Sequence, residues 1–270
     1  LFDTSESKDR EYNMKSSGKE LLKKMFDNPP PKPGFPDETK IPRIPSAKIP
    51  CSQEELQEHL NRYVQKLLDE GADEAKIMPA KEIPQDPRVL LKCYFPKCPA
   101  YGRSGSCPPH VTSDFQKAKE FLGAYEWSIV YRVNLPKEGV GIFTGPSQIS
   151  SLKSKEYYHA SGSVLRYVYG MGDLIERDAF YDGHYFVINC HFGPCLYEHC
   201  EEFRDCQEMK VGICRFPFKA KPSVEQFFCI DFLKLAAQLG WEYHMLGPCA
   251  LIQDFPEEYE PYFIGVILIT

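Results

Sequence analysis

The chain lacks any apolar run near the roughly 18 residues that a transmembrane helix requires. Its best run, Phe263 to Ile269, has only the length of a buried strand. It also lacks a basic excess, with Lys plus Arg at 32 against Asp plus Glu at 38 and a net charge of −6. That argues against a general binder of nucleic acid or of acidic membranes, since both require a positive surface. No P-loop, G-x-G-x-x-G, nucleophile elbow or H-E-x-x-H is found. The stretch Gly139-Val-Gly-Ile-Phe-Thr-Gly145 has glycines without the strand–helix flanks of a phosphate loop, and it reads as a turn. The start shows no secretory-signal pattern.

Cysteine is what the chain has in quantity. There are 11 in 270 residues. That is about 4%, below the density of a small disulfide scaffold. The odd count, the chain length and the lack of a secretory pattern together point to a reducing compartment, here expected to be the cytoplasm. In such a compartment clustered cysteines bind metal more often than they form disulfides.

Residues 1–50 read as an extended proline-rich arm rather than a domain. Asn28 to Pro50 holds eight prolines in 23 residues. Proline removes donors and fixes φ, which disfavours both helix and sheet. Phe35, Ile41 and Ile44 give the arm apolar side chains to bury on a protein partner. Residues 51–270 read as a single layered α/β domain with a mixed sheet and two Cys-rich loops.

Within it, Ser52 and Glu55 form a capping-box pattern ahead of Leu56, Leu60, Val64 and Leu67, with Gly71 as a stop. Ala75 to Ala80 and Val89 to Cys93 read as short strands, and Trp127 to Leu135 as a strong one. Ser113 is placed to cap a helix with Phe115, Ala118, Phe121 and Leu122. Ser147 to Phe180 reads as helical, with an interruption near Gly162 or Gly170. Tyr185 to Cys190 reads as a strand, Ser223 to Leu239 as a helix, and Trp241 to Leu246 and Tyr262 to Ile269 as closing strands.

The strand and helix signals fail at Cys93 to His110 and at Cys190 to Pro222. Loops of that length inside a compact domain are uncommon unless something else orders them, and a bound metal would supply that order. The first segment holds Cys93-x4-Cys98-x8-Cys107, followed by Pro108, Pro109 and His110. The second holds Cys190, Cys195, Cys200, Cys206 and Cys214. Zinc sites favour pairs at C-x2–4-C, and only the x4 steps here fit. Iron–sulfur clusters accept more varied spacing because thiolates hold a body several atoms wide. The spacing therefore favours iron–sulfur, with zinc as the alternative.

One cluster is assigned to Cys195, Cys200, Cys206 and Cys214. A second site uses Cys93, Cys98 and Cys107, with Cys190 as the first candidate for the fourth ligand and His110 and Cys249 after it. His191 and His199 lie between cysteines of the second group, where a solvated loop role is the simpler reading. Cys51, Cys229 and Cys249 read as small buried residues.

Lys92-Cys93, Cys98-Pro99-x-Tyr101-Gly102 and Ser106-Cys107-Pro108-Pro109-His110 resemble the N-terminal signature of the bacterial and archaeal "predicted metal-binding protein" family. Gly193-Pro194-Cys195, Cys214-Arg215-x-Pro217, Lys221-Pro222-Ser223-x-Glu225 and Ile230-Asp231 resemble its second half. The resemblance covers residues 52–270. It implies metal binding, names no reaction, and suggests a protein of anaerobic metabolism with iron–sulfur chemistry. Two departures stand out. The second group is stretched to Cys195-x4-Cys200-x5-Cys206, and Phe228-Cys229 replaces the small residue or glycine expected before Ile-Asp.

The leading expectation is an iron–sulfur protein, with one or two 4Fe–4S clusters, acting in electron transport as a subunit or accessory of a redox complex. An enzyme with an open-site cluster or metal, and a structural zinc protein, are the alternatives.

Overall fold

The computed structural model describes residues 52–95, 97–98, 101–102, 104–111, 114–134, 155–190, 193, 195, 206, 214, 220, 222–243 and 262–270, with side chains in the 155–190 stretch from 168 onward. The chain divides into Leu1–Ala47 and Lys48–Thr270. The proline-rich arm lies outside the described residues.

Helix α1 spans Gln53–Asp69 and starts at the capping box. Ser52 N–H donates to Glu55 Oε2 at 3.0 Å, and Glu55 N–H donates to Ser52 Oγ at 3.1 Å. A cap of this kind satisfies donors that the first turn leaves without partners, at a gain of about 1 kcal/mol. Leu56, Leu60, Tyr63 and Leu67 form its buried stripe, with Val64 at the margin.

Four strands follow: β1 (Glu74–Pro79), β2 (Trp127–Asn134), β3 (Ile188–Cys190) and β4 (Tyr262–Ile269). Their order in the sheet is β1-β2-β4-β3. The α/β class expected from sequence holds, but the sheet differs in one respect. All three described pairings are antiparallel, where a mixed sheet was expected. Strand β4 lies in the interior of the sheet, and both its faces are covered, which accounts for its unbroken apolar run.

Alternation along the strands separates two cores. On one face Ile129, Tyr131, Val133, Ile267 and Ile269 meet α1 and helix α4 (Lys155–Tyr181), which contributes Val168, Met171, Ile175 and Ala179. On the other face Val130, Cys190, Val266 and Leu268 meet Leu122, Val224, Phe228 and Ile230, with Leu235 of helix α5 (Phe232–Leu239). Tyr131 is fully buried and its hydroxyl donates to the Val168 carbonyl at 2.7 Å. Its ring lies against Gly265 so closely that a Cβ there would sit 2.1 Å from Cζ.

Several local expectations are corrected. Val89 to Cys93 is a 3-10 turn (Pro87–Leu90) running into the short helix α2 (Leu91–Tyr94), not a strand. Pro87 and the Asp86 cap, which accepts from the Arg88 amide, start a turn more readily than a strand. Helix α3 (Phe115–Gly123) is capped by Asp114, one residue after Ser113. Helix α4 passes through Gly162 and Gly170 without a break. Ser223 opens a run of turns, and α5 begins only at the Asp231 cap. Asp231 accepts from the amides of Leu233 and Lys234, so the Ile-Asp pair of the motif is a helix start.

Candidate metal centre

Helix α2 places Cys93 at its third position, where the thiol is buried. The chain then turns back on itself repeatedly. Cys98 N–H donates to the Cys93 carbonyl at 3.2 Å, and Tyr101 N–H to the Cys98 carbonyl at 2.9 Å. Gly102 N–H reaches the Pro108 carbonyl at 2.7 Å, closing the loop across its middle. Cys107 N–H donates to Ser104, while His110 and Val111 N–H both donate to Cys107. The loop is thus built from backbone turns centred on its three cysteines. The described cysteines are thiols and not disulfides.

The thiols feel one another. The Cys107 thiol is pushed up to about 12, chiefly by burial, with Cys98, Cys93 and Cys195 adding to the rise and a hydrogen bond with Ser106 opposing it. Burial also raises Cys93, with Glu225 and Cys98 adding to the rise and a hydrogen bond from Gln226 opposing it. Burial disfavours charge, and nearby like charges disfavour it further. A pocket that crowds buried thiols in this way is poor for bare thiolates and suited to thiolates neutralised by a cation. Among the described residues, no group of three or more His, Cys, Asp or Glu side chains is drawn in tightly enough to hold a single metal ion as placed.

The chain belongs to the family described as Predicted metal-binding protein (DUF2284), which matches residues 76–269. No curated protein matches the chain, and no solved structure does. The family's description implies a metal, and the donor set of the loop fits one. Cys93, Cys98 and Cys107 are soft sulfur donors on a single loop, the first and last buried and Cys98 half-buried, the type that zinc and iron–sulfur clusters use.

The remaining cysteines divide. Cys195 reaches the first loop: its N–H donates to Ser106 Oγ at 2.7 Å. Cys190, the leading expected fourth ligand, ends β3 opposite Val266 and lies in the apolar core. His110 is exposed. Cys206 and Cys214 are half-buried. Cys200, Cys249, His191 and His199 lie outside the described residues. Cys229 is buried against Val89 and Ala118, the small-core role expected of it. Its φ of 54° is left-handed, a backbone region that glycine adopts more readily than other residues.

Sequence reasoning gave no role to Ser106, Ser223 or Gln226. Gln226 is buried and its Nε2 donates to Cys93 Sγ at 3.1 Å. The Ser223 hydroxyl donates to Gln226 Oε1. Glu225 is buried too, and burial pushes its carboxyl up while Lys92, 3.6 Å away, pulls it down. Ser223, Glu225 and Gln226 therefore form the wall behind Cys93. A signal was present in the sequence: small polar side chains inside an otherwise cysteine-centred signature.

Proposed function

We propose that this protein binds an iron–sulfur cluster and carries electrons as a subunit or accessory of a larger redox assembly. The observation that supports this reading is that Cys93, Cys98 and Cys107 lie on one loop of backbone turns, with Cys93 and Cys107 buried and Cys195 tied to the loop through Ser106. A cluster bound there would supply one-electron chemistry. The chain's own residues would set its surroundings. Burial of Cys93 and Cys107 excludes water, and the Gln226 amide donates toward sulfur. Donors to cluster sulfur favour the reduced form.

The partner reading has its own support. Leu91, Tyr94 and Phe95 flank Cys93 in sequence and stand 63%, 42% and 86% exposed. Large apolar side chains left in water beside such a site offer another protein a contact surface. The clusters would number one or two, the other assigned by spacing to Cys195, Cys200, Cys206 and Cys214. The reading keeps the cytoplasm as the compartment. Among the described residues no helix is long and apolar enough to cross a membrane.

Iron, acid-labile sulfide and zinc per chain, measured on anaerobically purified protein, test this reading. About four or eight irons with matching sulfide, and a band near roughly 400 nm that dithionite bleaches, are expected. Zinc without a visible band would overturn it in favour of a structural zinc protein.

A further inference from the structure

We propose that Cys195 is the fourth thiolate of the Cys93–Cys98–Cys107 site, so that one centre draws its ligands from both cysteine groups. This deepens the metal-site reading above and rests on it. It also reassigns Cys195, which spacing alone had grouped with Cys200, Cys206 and Cys214.

The geometry turns on Ser106. Its hydroxyl accepts the Cys195 N–H at 2.7 Å, a bond between residues 89 positions apart. Ser106 immediately precedes Cys107, so this bond holds the backbone of Cys195 beside that of Cys107. Ser106 Oγ is itself within 3.0 Å of Ser104 Oγ, and the Ser106 N–H donates to Ser104 Oγ at 3.3 Å. Ser104 is buried. The anchor is therefore a small closed network and not a single exposed contact.

The chain reaches this place because Gly193 adopts φ 77°, a left-handed turn that most side chains resist, just after β3 ends. The competing ligands are placed less well. Cys190 lies in the sheet, among Val130, Tyr262 and Val266. His110 is exposed.

On the opposite side, Ser223 fixes the orientation of the Gln226 amide. It donates to Oε1, which leaves Nε2 to face Cys93 Sγ. A donor aimed at a sulfur is the arrangement that orients and tunes a ligating thiolate. Cys93 is thus braced by the 223–226 turn and Cys107 by the Ser106–Cys195 link.

Paired substitutions on the full chain, read by bound iron, sulfide and zinc and by the absorption spectrum, test the assignment. Ligands of one centre fail as a unit, whereas ligands of two centres add. Cys107→Ser combined with Cys195→Ser is expected to lose no more metal than the worse single variant. Cys195→Ser combined with Cys214→Ser is expected to lose more than either alone. The reverse pattern would return Cys195 to the second group and overturn the proposal.

A wild-type chain with neither iron nor zinc would sink the metal-site reading itself. Metal present in the wild type and unchanged in Cys195→Ser would sink only the place given to Cys195. Because a ligand variant can fail to fold, Ser106→Ala serves as a second probe that keeps every thiol. It should surrender metal to a chelator several-fold faster while its far-ultraviolet circular dichroism stays that of the wild type. An unchanged release rate would count against the anchor.

Discussion

The two faces of the sheet are closed by different means. On one, α1 and α4 lay continuous apolar stripes on Ile129, Tyr131, Ile267 and Ile269. That surface is stabilised by burial, at about 25 cal/mol per Å² of apolar area, and it draws on no cysteine. On the other, the helical cover among the described residues is α5 and the end of α3, and turns around 223–230 add Val224, Phe228 and Ile230. That face buries an apolar cluster too, and beside it the cysteine loop is held by short backbone hydrogen bonds and a few polar links, such as Gln226 to Cys93. Each is worth only about 1 kcal/mol net. Both faces of the sheet are therefore stabilised by apolar burial, while the cysteine loop is held by polar links that a metal bound among its thiols would reinforce.

The largest expected effect breaks the helical face. Gly265→Ala would force a Cβ against the Tyr131 ring, whose hydroxyl is tied to Val168. Overpacking of this kind costs about 1–3 kcal/mol or more, because strand and ring cannot both yield. Denaturant unfolding should show the loss. A variant as stable as the wild type would mean that strand and ring can yield after all.

Next comes metal removal. Chelation should strip hydrogen-exchange protection from the amides of Cys98, Tyr101, Cys107 and Cys195 and leave those of α1 largely as they were. Equal loss in both regions would show that the comparison is wrong and that the domain folds as one unit around its metal.

A smaller effect is expected at Cys229, where φ is 54° in a fully buried side chain. Cys229→Gly gains about 1 kcal/mol from the left-handed backbone and loses a similar amount of packing, so thermal unfolding should barely move. Cys229→Val should be clearly destabilised, since β-branched residues resist positive φ.

The smallest is a pH effect on the helical face. His59 lies 3.0 Å from His184, between Nδ1 and Nε2, and His184 Nδ1 lies 2.8 Å from the Thr270 carbonyl. Burial lowers the His59 pKa below 6.5, with Arg62 and His184 adding to the fall and Asp182 and Glu55 opposing it. The unfolded chain then binds the proton more readily than the folded one. Stability is full above about 6.5 and declines as pH falls through the folded value. His59→Gln should flatten the pH dependence of the melting temperature in that window. An unchanged profile would exclude His59 as its source.

Much of the helical face was legible. The capping box at Ser52, the stripe from Leu56 to Leu67 and the run Phe263 to Ile269 each carry a local period that one element explains. The candidate centre was legible only as composition. Cys93, Cys98 and Cys107 stood out because they crowd a segment with no helix or strand pattern. The strand expected at Val89 to Cys93 failed because a short apolar run fits a turn and one helical turn as well as a strand. The bond from Cys195 to Ser106 was not legible, because spacing counts residues along the chain and these two lie 89 positions apart.

By itself, then, the sequence determined the α/β class, the helical cover of one face, and the crowding of cysteines into two segments. These follow from periodicity and composition, which act over a few residues. Only the tertiary structure decided that the sheet is antiparallel, that Cys190 belongs to the core, and that Cys195 comes to Ser106. Those outcomes depend on which distant segments share one side of a sheet, and that is set by packing both cores at once.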